Sequence, residues 1–144
     1  NAKSINLYPS SCFFEGTNVS AGRGTEMQFQ IFGSPFFSKD SFNFSFTPQP
    51  NFGAKHPKHK GEICLGRDLR NTDKLNSLNL EWLIESYNQT DNKEAFFNTF
   101  FPKLAGTNKL QNQIEQGVSF KEIKATWQDG LTAFKEVRKR YTIY

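Results

Sequence analysis

The stretch from Glu15 to Thr25, Glu-Gly-Thr-Asn-Val-Ser-Ala-Gly-Arg-Gly-Thr, concentrates the groups in this sequence that can do chemistry. It carries one carboxylate (Glu15), one guanidinium (Arg23), hydrogen-bonding side chains at Thr17, Asn18, Ser20 and Thr25, and glycines at Gly16, Gly22 and Gly24. Glycine admits positive φ and close main-chain approach, so amides can converge on a ligand. An arginine among them offers a planar fork that fits a carboxylate or a phosphate. The same residues also suit a tight connection in which Thr and Asn bond their own backbone. Neither nucleotide signature is met: the Gly-Lys-Ser/Thr ending of a Walker loop is missing, and no G-x-G-x-x-G opens a helix.

Other chemistry is thinly supported. His56 and His59 are the only histidines and lie in His-Pro-Lys-His-Lys, which reads as a solvated basic loop. No C-x-x-C or Cys/His spacing suggests a metal, and no cofactor is expected. Cys12 and Cys64 are each flanked by apolar residues, which suits two buried thiols and leaves room for one disulfide. Glu81, Glu85, Glu94, Glu115, Glu122, Asp129 and Glu136 fall mostly on polar faces of expected helices and read as solvated surface.

The elements that must position the glycine-rich stretch change character along the chain. Residues 1–70 hold short apolar runs separated by turn signals, the pattern of strands. Ile5 to Tyr8 alternates, Cys12-Phe13-Phe14 is a short buried run, and Met27 to Ile31 alternates and continues through Phe32 into Gly33. Phe42, Phe44 and Phe46 share one face of a further strand, and Glu62 to Leu65 reads as the last one. Residues 71–144 turn helical. Leu80, Leu83, Ile84 and Tyr87 mark one amphipathic helix, and Phe96, Phe97, Phe100, Phe101 and Leu104 a second that Pro102 should end or kink. Thr107 can cap a third, carrying Leu110 and Ile114 and closed by Gly117. The capping box Ser119-Phe120-Lys121-Glu122 should start the longest helix, with Phe120, Ile123, Trp127, Leu131, Phe134 and Tyr141 along one stripe. Trp82 and Trp127 sit in such stripes and read as core. Strands first and helices afterwards predict an α+β fold, a mostly antiparallel β-rich half followed by a helical half packed on the sheet, in a single domain over residues 1–144.

Composition agrees with a folded chain. It has 144 residues, 22% charged and 36% hydrophobic. The net charge of +4 is too small to argue for nucleic acid, and no aromatics interleave a basic groove, so no nucleic-acid partner is expected. No window approaches a membrane span, and no basic start followed by an apolar core suggests a signal peptide; the chain is expected to be soluble. Because it opens on Asn1, it is expected to be a processed or excised piece. Sixteen Phe against two Trp and four Tyr is an unusual load of rings without a polar tip. They must fill a core or present a face to a partner.

The run from Tyr8 to Thr25, with its Glu-Gly-Thr-Asn…Gly-Arg-Gly-Thr string, resembles the start of the C-terminal domain of the NamZ-type exo-β-N-acetylmuramidases. The likeness continues through Gly33-Ser34-Pro35-Phe36, Gly61 to Gly66, Leu80 to Tyr87 and Leu104-Ala105-Gly106-Thr107. It ends with Ile114, Gly117, Ile123, Trp127, Phe134, Arg138, Tyr141 and Tyr144, so it covers nearly the whole chain. Many relatives carry Trp where this chain has Phe36. The resemblance implies the C-terminal part of a longer protein, with a Rossmann-like N-terminal domain as its partner and an active site in the cleft between the two. It implies a peptidoglycan-derived sugar substrate, release of terminal N-acetylmuramic acid, and an exported, periplasmic or extracellular location. Within that frame Thr17, Asn18, Ser20 and Arg23 are expected to line the cleft, with Arg23 facing the lactyl carboxylate of muramic acid. Glu15 is expected in acid/base work or sugar-hydroxyl contacts, with a structural bond to its own turn as the alternative. The isolated chain is expected to be inactive. A non-catalytic glycan-binding or domain-docking module is the competing reading.

Overall fold

The structure, a computed structural model, describes residues 1–142; Tyr144 of the resemblance lies outside the described residues. The chain opens with helix α1, Ala2–Ser11, where Ile5 to Tyr8 suggested a strand. In a four-residue window a period of 2 and a period of 3.6 are hard to separate, and here only Leu7 is core while Ile5 is 74% exposed. Polar ties hold the helix in place. Asn1 caps the Ser4 amide at 2.9 Å, and the Asn6 side chain exchanges two bonds of 2.9 Å with the main chain of Leu75. The Ser10 hydroxyl accepts from the Asn79 amide at 2.9 Å. Cys12–Gly16 then forms a 3-10 turn rather than a strand, and it drives Phe14 into the core, where its ring stacks on Phe32 at 4.8 Å.

The sheet has three antiparallel strands in the order β1-β3-β2: β1 Ile31–Ser34, β2 Phe44–Phe46 and β3 Cys64–Asp68. Each is shorter or later than the alternation suggested. Met27 to Gln30 is a turn, with Phe29 at φ 60 and its amide held by the Ala21 carbonyl at 2.8 Å, so β1 begins only at Ile31. Phe42 precedes β2 and packs with Phe32 and Phe37 in the main core. Phe44 and Phe46 instead join Ile31, Met27 and Cys64 in a second small cluster, so the three Phe do not share one face. At the centre of β3, Gly66 faces both Gly33 and Phe44, and a Cβ there would lie 1.8 Å from the Phe32 carbonyl oxygen.

The helical half packs onto the other side of the main core. In α2, Glu81–Gln89, Trp82 and Leu83 are buried, with Leu80 just before them. Phe96 and Phe97 are not helical: α3 spans Phe101–Ala105 and has Pro102 in its first turn. A proline at a helix start loses no bond, since that N–H has no intrahelical partner, so Pro102 begins a helix where an end was expected. In α4, Lys109–Glu115, Leu110 and Ile114 are buried. Thr107 accepts from the Lys109 amide at 3.1 Å, and Gly117 follows at φ 75. The capping box at Ser119 and Glu122 forms as expected and starts α5, Phe120–Ala125.

The expected long helix is broken after α5. The Thr126 hydroxyl bonds back to the Ile123 carbonyl at 2.7 Å and Gln128 Nε2 takes the Lys124 carbonyl at 3.0 Å, competing with the helical ladder. The continuation, α6 over Gln128–Lys139, has no buried residue. Of the anticipated stripe, Ile123 is core and Trp127 packs on Phe120 at 6.3 Å, whereas Phe134 is 62% exposed and Leu131 and Tyr141 are exposed too. Of the sixteen Phe, seven are buried and four (Phe36, Phe52, Phe100, Phe134) are exposed. Both cysteines are free, Cys64 buried and Cys12 half-buried. No helix among the described residues is long and apolar enough to cross a membrane.

Candidate functional site

The glycine-rich stretch leaves the 3-10 turn and is fastened on three sides. The Asn18 amide donates to the Phe96 carbonyl at 2.8 Å, the Asn98 amide to Gly16 at 3.0 Å, and Ser20 and Gly33 exchange main-chain bonds of 2.8 and 3.0 Å. The third side is the strap of residues 48–61. The Gln49 amide bonds the Gly24 carbonyl at 2.8 Å, and the strap's own ends are closed by Gly61 N–H to Pro48 O at 2.9 Å. Gly24 has φ 82, and a Cβ there would lie 2.6 Å from Pro57, so only glycine lets the strap lie this close.

Stretch and strap enclose an open pocket of about 260 Å³ lined by residues of both, Glu15, Ser20 and Arg23 from the stretch and His56, Pro57 and Lys58 from the strap among them. Glu15 is the single carboxylate of that lining, which it shares with Arg23, Lys58 and His56. Arg23 is exposed at the rim, where Nη2 donates to the Gly53 carbonyl at 3.2 Å. The Ser20 hydroxyl is buried in the pocket wall without a protein partner, on a residue only 2% exposed. The amides of Ala21, Gly22, Arg23 and Gly24 donate to no protein acceptor among the described residues, and Gly22 and Gly24 both have positive φ. Successive amides in such a turn form a concavity suited to an anion.

Thr17 and Asn18 stand behind this wall. The Thr17 hydroxyl donates to Phe14 O at 3.0 Å and accepts from the Val19 amide at 3.0 Å, the self-bonding arrangement that the composition had left open. Both polar atoms of the Asn18 side chain are buried without a protein partner, and Asn18 does not line the pocket. The structure therefore brings Glu15, Ser20 and Arg23 to the pocket and leaves Thr17 and Asn18 to shape the turn.

Lys58 and His59 belong to the site and were read from the sequence as solvated loop. Lys58 Nζ donates to the carbonyls of Phe14 at 3.2 Å, Val19 at 3.0 Å and Thr17. His59 Nε2 lies 2.6 Å from the Asn18 carbonyl, which requires a proton on that nitrogen. These partners are main-chain oxygens about forty residues away, and carbonyls leave no mark in a sequence. Burial pushes the Lys58 ammonium from 10.5 down to about 8, against the opposing pull of the Glu15 charge. Below about pH 8 both folded and unfolded chains carry this charge, and folding bears its desolvation in full. Between the two values the unfolded chain holds a proton that the folded chain has released, so stability rises with pH. Urea unfolding of wild type should gain up to about 3 kcal/mol on Lys58→Met as pH climbs from about 8 to 10.5. A constant difference between the two would contradict the shift.

Fold and site together define an α+β domain with a cation-lined pocket on a glycine-rich turn. The comparisons with known proteins place it further. Residues 6–144 match the family model described as exo-beta-N-acetylmuramidase NamZ, C-terminal, and the chain belongs to that family. It is 32% identical over 152 residues to the peptidoglycan beta-N-acetylmuramidase NamZ of Bacillus subtilis (strain 168), covering 96% of this chain and 37% of that protein. It is also similar to the crystal structure of a DUF1343 family protein from Bacteroides fragilis NCTC 9343, with a TM-score of 0.94 and 41% identity over 100% of this chain and 41% of that one. The chain thus spans roughly two-fifths of the length of these relatives.

Proposed function

We propose that this chain is the substrate-cleft domain of an exo-acting glycosidase that releases terminal N-acetylmuramic acid from peptidoglycan fragments, as in cell-wall recycling. What carries the reading is membership of the NamZ C-terminal family together with a pocket that sets Arg23, Lys58 and His56 around a single carboxylate, Glu15. Muramic acid differs from other amino sugars by a lactyl ether bearing a carboxylate, and a guanidinium at an open rim is the group to meet it. Ser20 forms part of the wall that meets the same ligand, and Thr17 and Asn18 contribute through the shape of the turn. Glycosidases use two carboxylic groups about the scissile bond, and this pocket has one. The second belongs to the rest of the longer protein, whose N-terminal domain is taken to be Rossmann-like, and the chain alone is inactive. The reading extends to an exported, periplasmic or extracellular location for that protein, supported by the cell-wall origin of the substrate.

The test is release of the chromophore from a chromogenic N-acetylmuramic acid glycoside. The full-length gene product should cleave it and the 144-residue chain should not; no cleavage by the full-length protein ends the reading. Glu15→Gln in the full-length protein should lower kcat by about a hundredfold or more, the scale of acid/base participation. Unchanged turnover would remove Glu15 from the chemistry. Domain docking has its own support in α6, whose apolar side chains Leu131, Phe134 and Val137 are all exposed.

A further inference from the structure

We propose that Lys58 is a positioning residue which, with His59, clamps the pocket-lining turn from Phe14 to Arg23 by gathering four of its main-chain carbonyls into the strap. The inference rests on the reading of this pocket as the substrate-lining site. The carbonyls of Phe14, Thr17 and Val19 accept from one ammonium, and that of Asn18 accepts from the neighbouring imidazole. An ammonium has three N–H donors on a tetrahedral nitrogen, which suits three carbonyls converging from one side; a planar guanidinium would not reproduce this.

The backbone makes room for both prongs. Successive side chains of an extended segment point to opposite sides. His59 instead sits at φ 57, in the left-handed region that a residue of this bulk seldom enters. Such a conformation persists only where surrounding contacts over-determine it, and it tends to accompany function. Over residues 17–20 the amides are also taken: Thr17 to Phe14 O, Asn18 to Phe96 O, Val19 to the Thr17 hydroxyl and Ser20 to Gly33 O. With both its N–H and C=O groups engaged, the segment has one path. Glu15 on one side and Ser20 on the other are therefore held at a set separation in the pocket wall.

Charged and titratable groups facing Lys58 are Glu15 and Arg23 from the turn and His56 from the strap, with His59 backed by Glu62 at 3.8 Å. When the ammonium becomes an amine it keeps two donors, and one carbonyl loses its partner. Raising pH past about 8 should then loosen the turn while the chain as a whole gains stability, a divergence that a merely structural lysine would not give.

Hydrogen exchange of the 144-residue chain tests the clamp, with turnover of the full-length protein as a separate readout. In Lys58→Met, the bonded amides of residues 17–20 should exchange about tenfold faster or more while the melting temperature stays the same or rises. His59→Ala should speed exchange in the same segment. Lys55→Met and Lys60→Met remove the same charge from exposed neighbours and should change nothing. In the full-length protein Lys58→Met should lower kcat/KM for the muramic acid glycoside about tenfold. Wild-type exchange rates at Lys58→Met or His59→Ala overturn the clamp. If Lys58→Met does not fold, wild type alone decides: protection of residues 17–20, corrected for base catalysis, must fall as pH passes about 8, and constant protection overturns it. An inactive wild-type enzyme would sink the muramidase reading only, since exchange judges the clamp without substrate.

Discussion

Gly66→Ala is expected to abolish cooperative folding. Gly66 lies in the middle of the central strand, opposite Gly33 on one side and Phe44 on the other. An added Cβ would sit 1.8 Å from the Phe32 carbonyl oxygen and 2.6 Å from the Gly33 Cα. Both are main-chain atoms, so no rotamer change relieves the contact and β1 must part from β3. That pairing holds Phe32 against Phe14 and carries the Ser20 bridge at Gly33, so the core and the pocket wall are lost together. The loss should exceed about 4 kcal/mol, comparable with the whole stability of a small domain. Gly53→Ala is the control: its nearest atom would be 3.8 Å away, and it should melt close to wild type. A Gly66→Ala protein melting within a few degrees of wild type would refute the packing described for the sheet.

The second large effect is on specificity. Arg23→Ala in the full-length enzyme should lower kcat/KM for a muramic acid glycoside by about 10- to 100-fold, the worth of a charge-assisted bond at roughly 1.5–3 kcal/mol. The change should appear in KM, because a carboxylate remote from the scissile bond is bound alike in ground and transition states. The matching N-acetylglucosamine glycoside has no lactyl carboxylate, and its already slow turnover should not change. Arg23 is exposed and among the described residues its side chain bonds only the Gly53 carbonyl, so folding should survive the substitution. Equal losses on both sugars would mean that Arg23 acts by holding the strap at Gly53; no loss on either would remove it from recognition.

The helices were most legible where a periodic stripe coincided with a cap, as at Leu110 and Ile114 after Thr107 and at Ile123 after the Ser119 capping box. They were least legible where the deciding partners are distant. Ile5 to Tyr8 becomes helix because Asn6 and Ser10 are tied to Leu75 and Asn79. Phe96 stays in a turn outside any helix, its carbonyl bonded by Asn18, leaving Pro102 to start a helix instead of ending one. At the site, the glycine-rich turn announced itself through residue type, and three of its five singled-out residues reach the pocket. Thr17 does not, because a hydroxyl two residues from a free amide closes locally before it can face a ligand. Lys58 and His59 escaped notice because their partners are carbonyl oxygens, which every residue has.

The two free cysteines bear on the order of events during biogenesis. Oxidation proceeds through the thiolate, and burial raises the Cys64 thiol to about 12, leaving on the order of one molecule in 10⁵ ionised at neutral pH. Cys12 is pushed up as well, by burial and then by the Glu15 charge. Neither thiol is protected in the unfolded chain. In an oxidising compartment the race is between closing the sheet around Cys64 and capturing its sulfur, and a sulfur captured first has no space beside Ile31 and Phe46. The speed of forming β2 and β3, as much as their final stability, then sets how much folded chain a cell obtains.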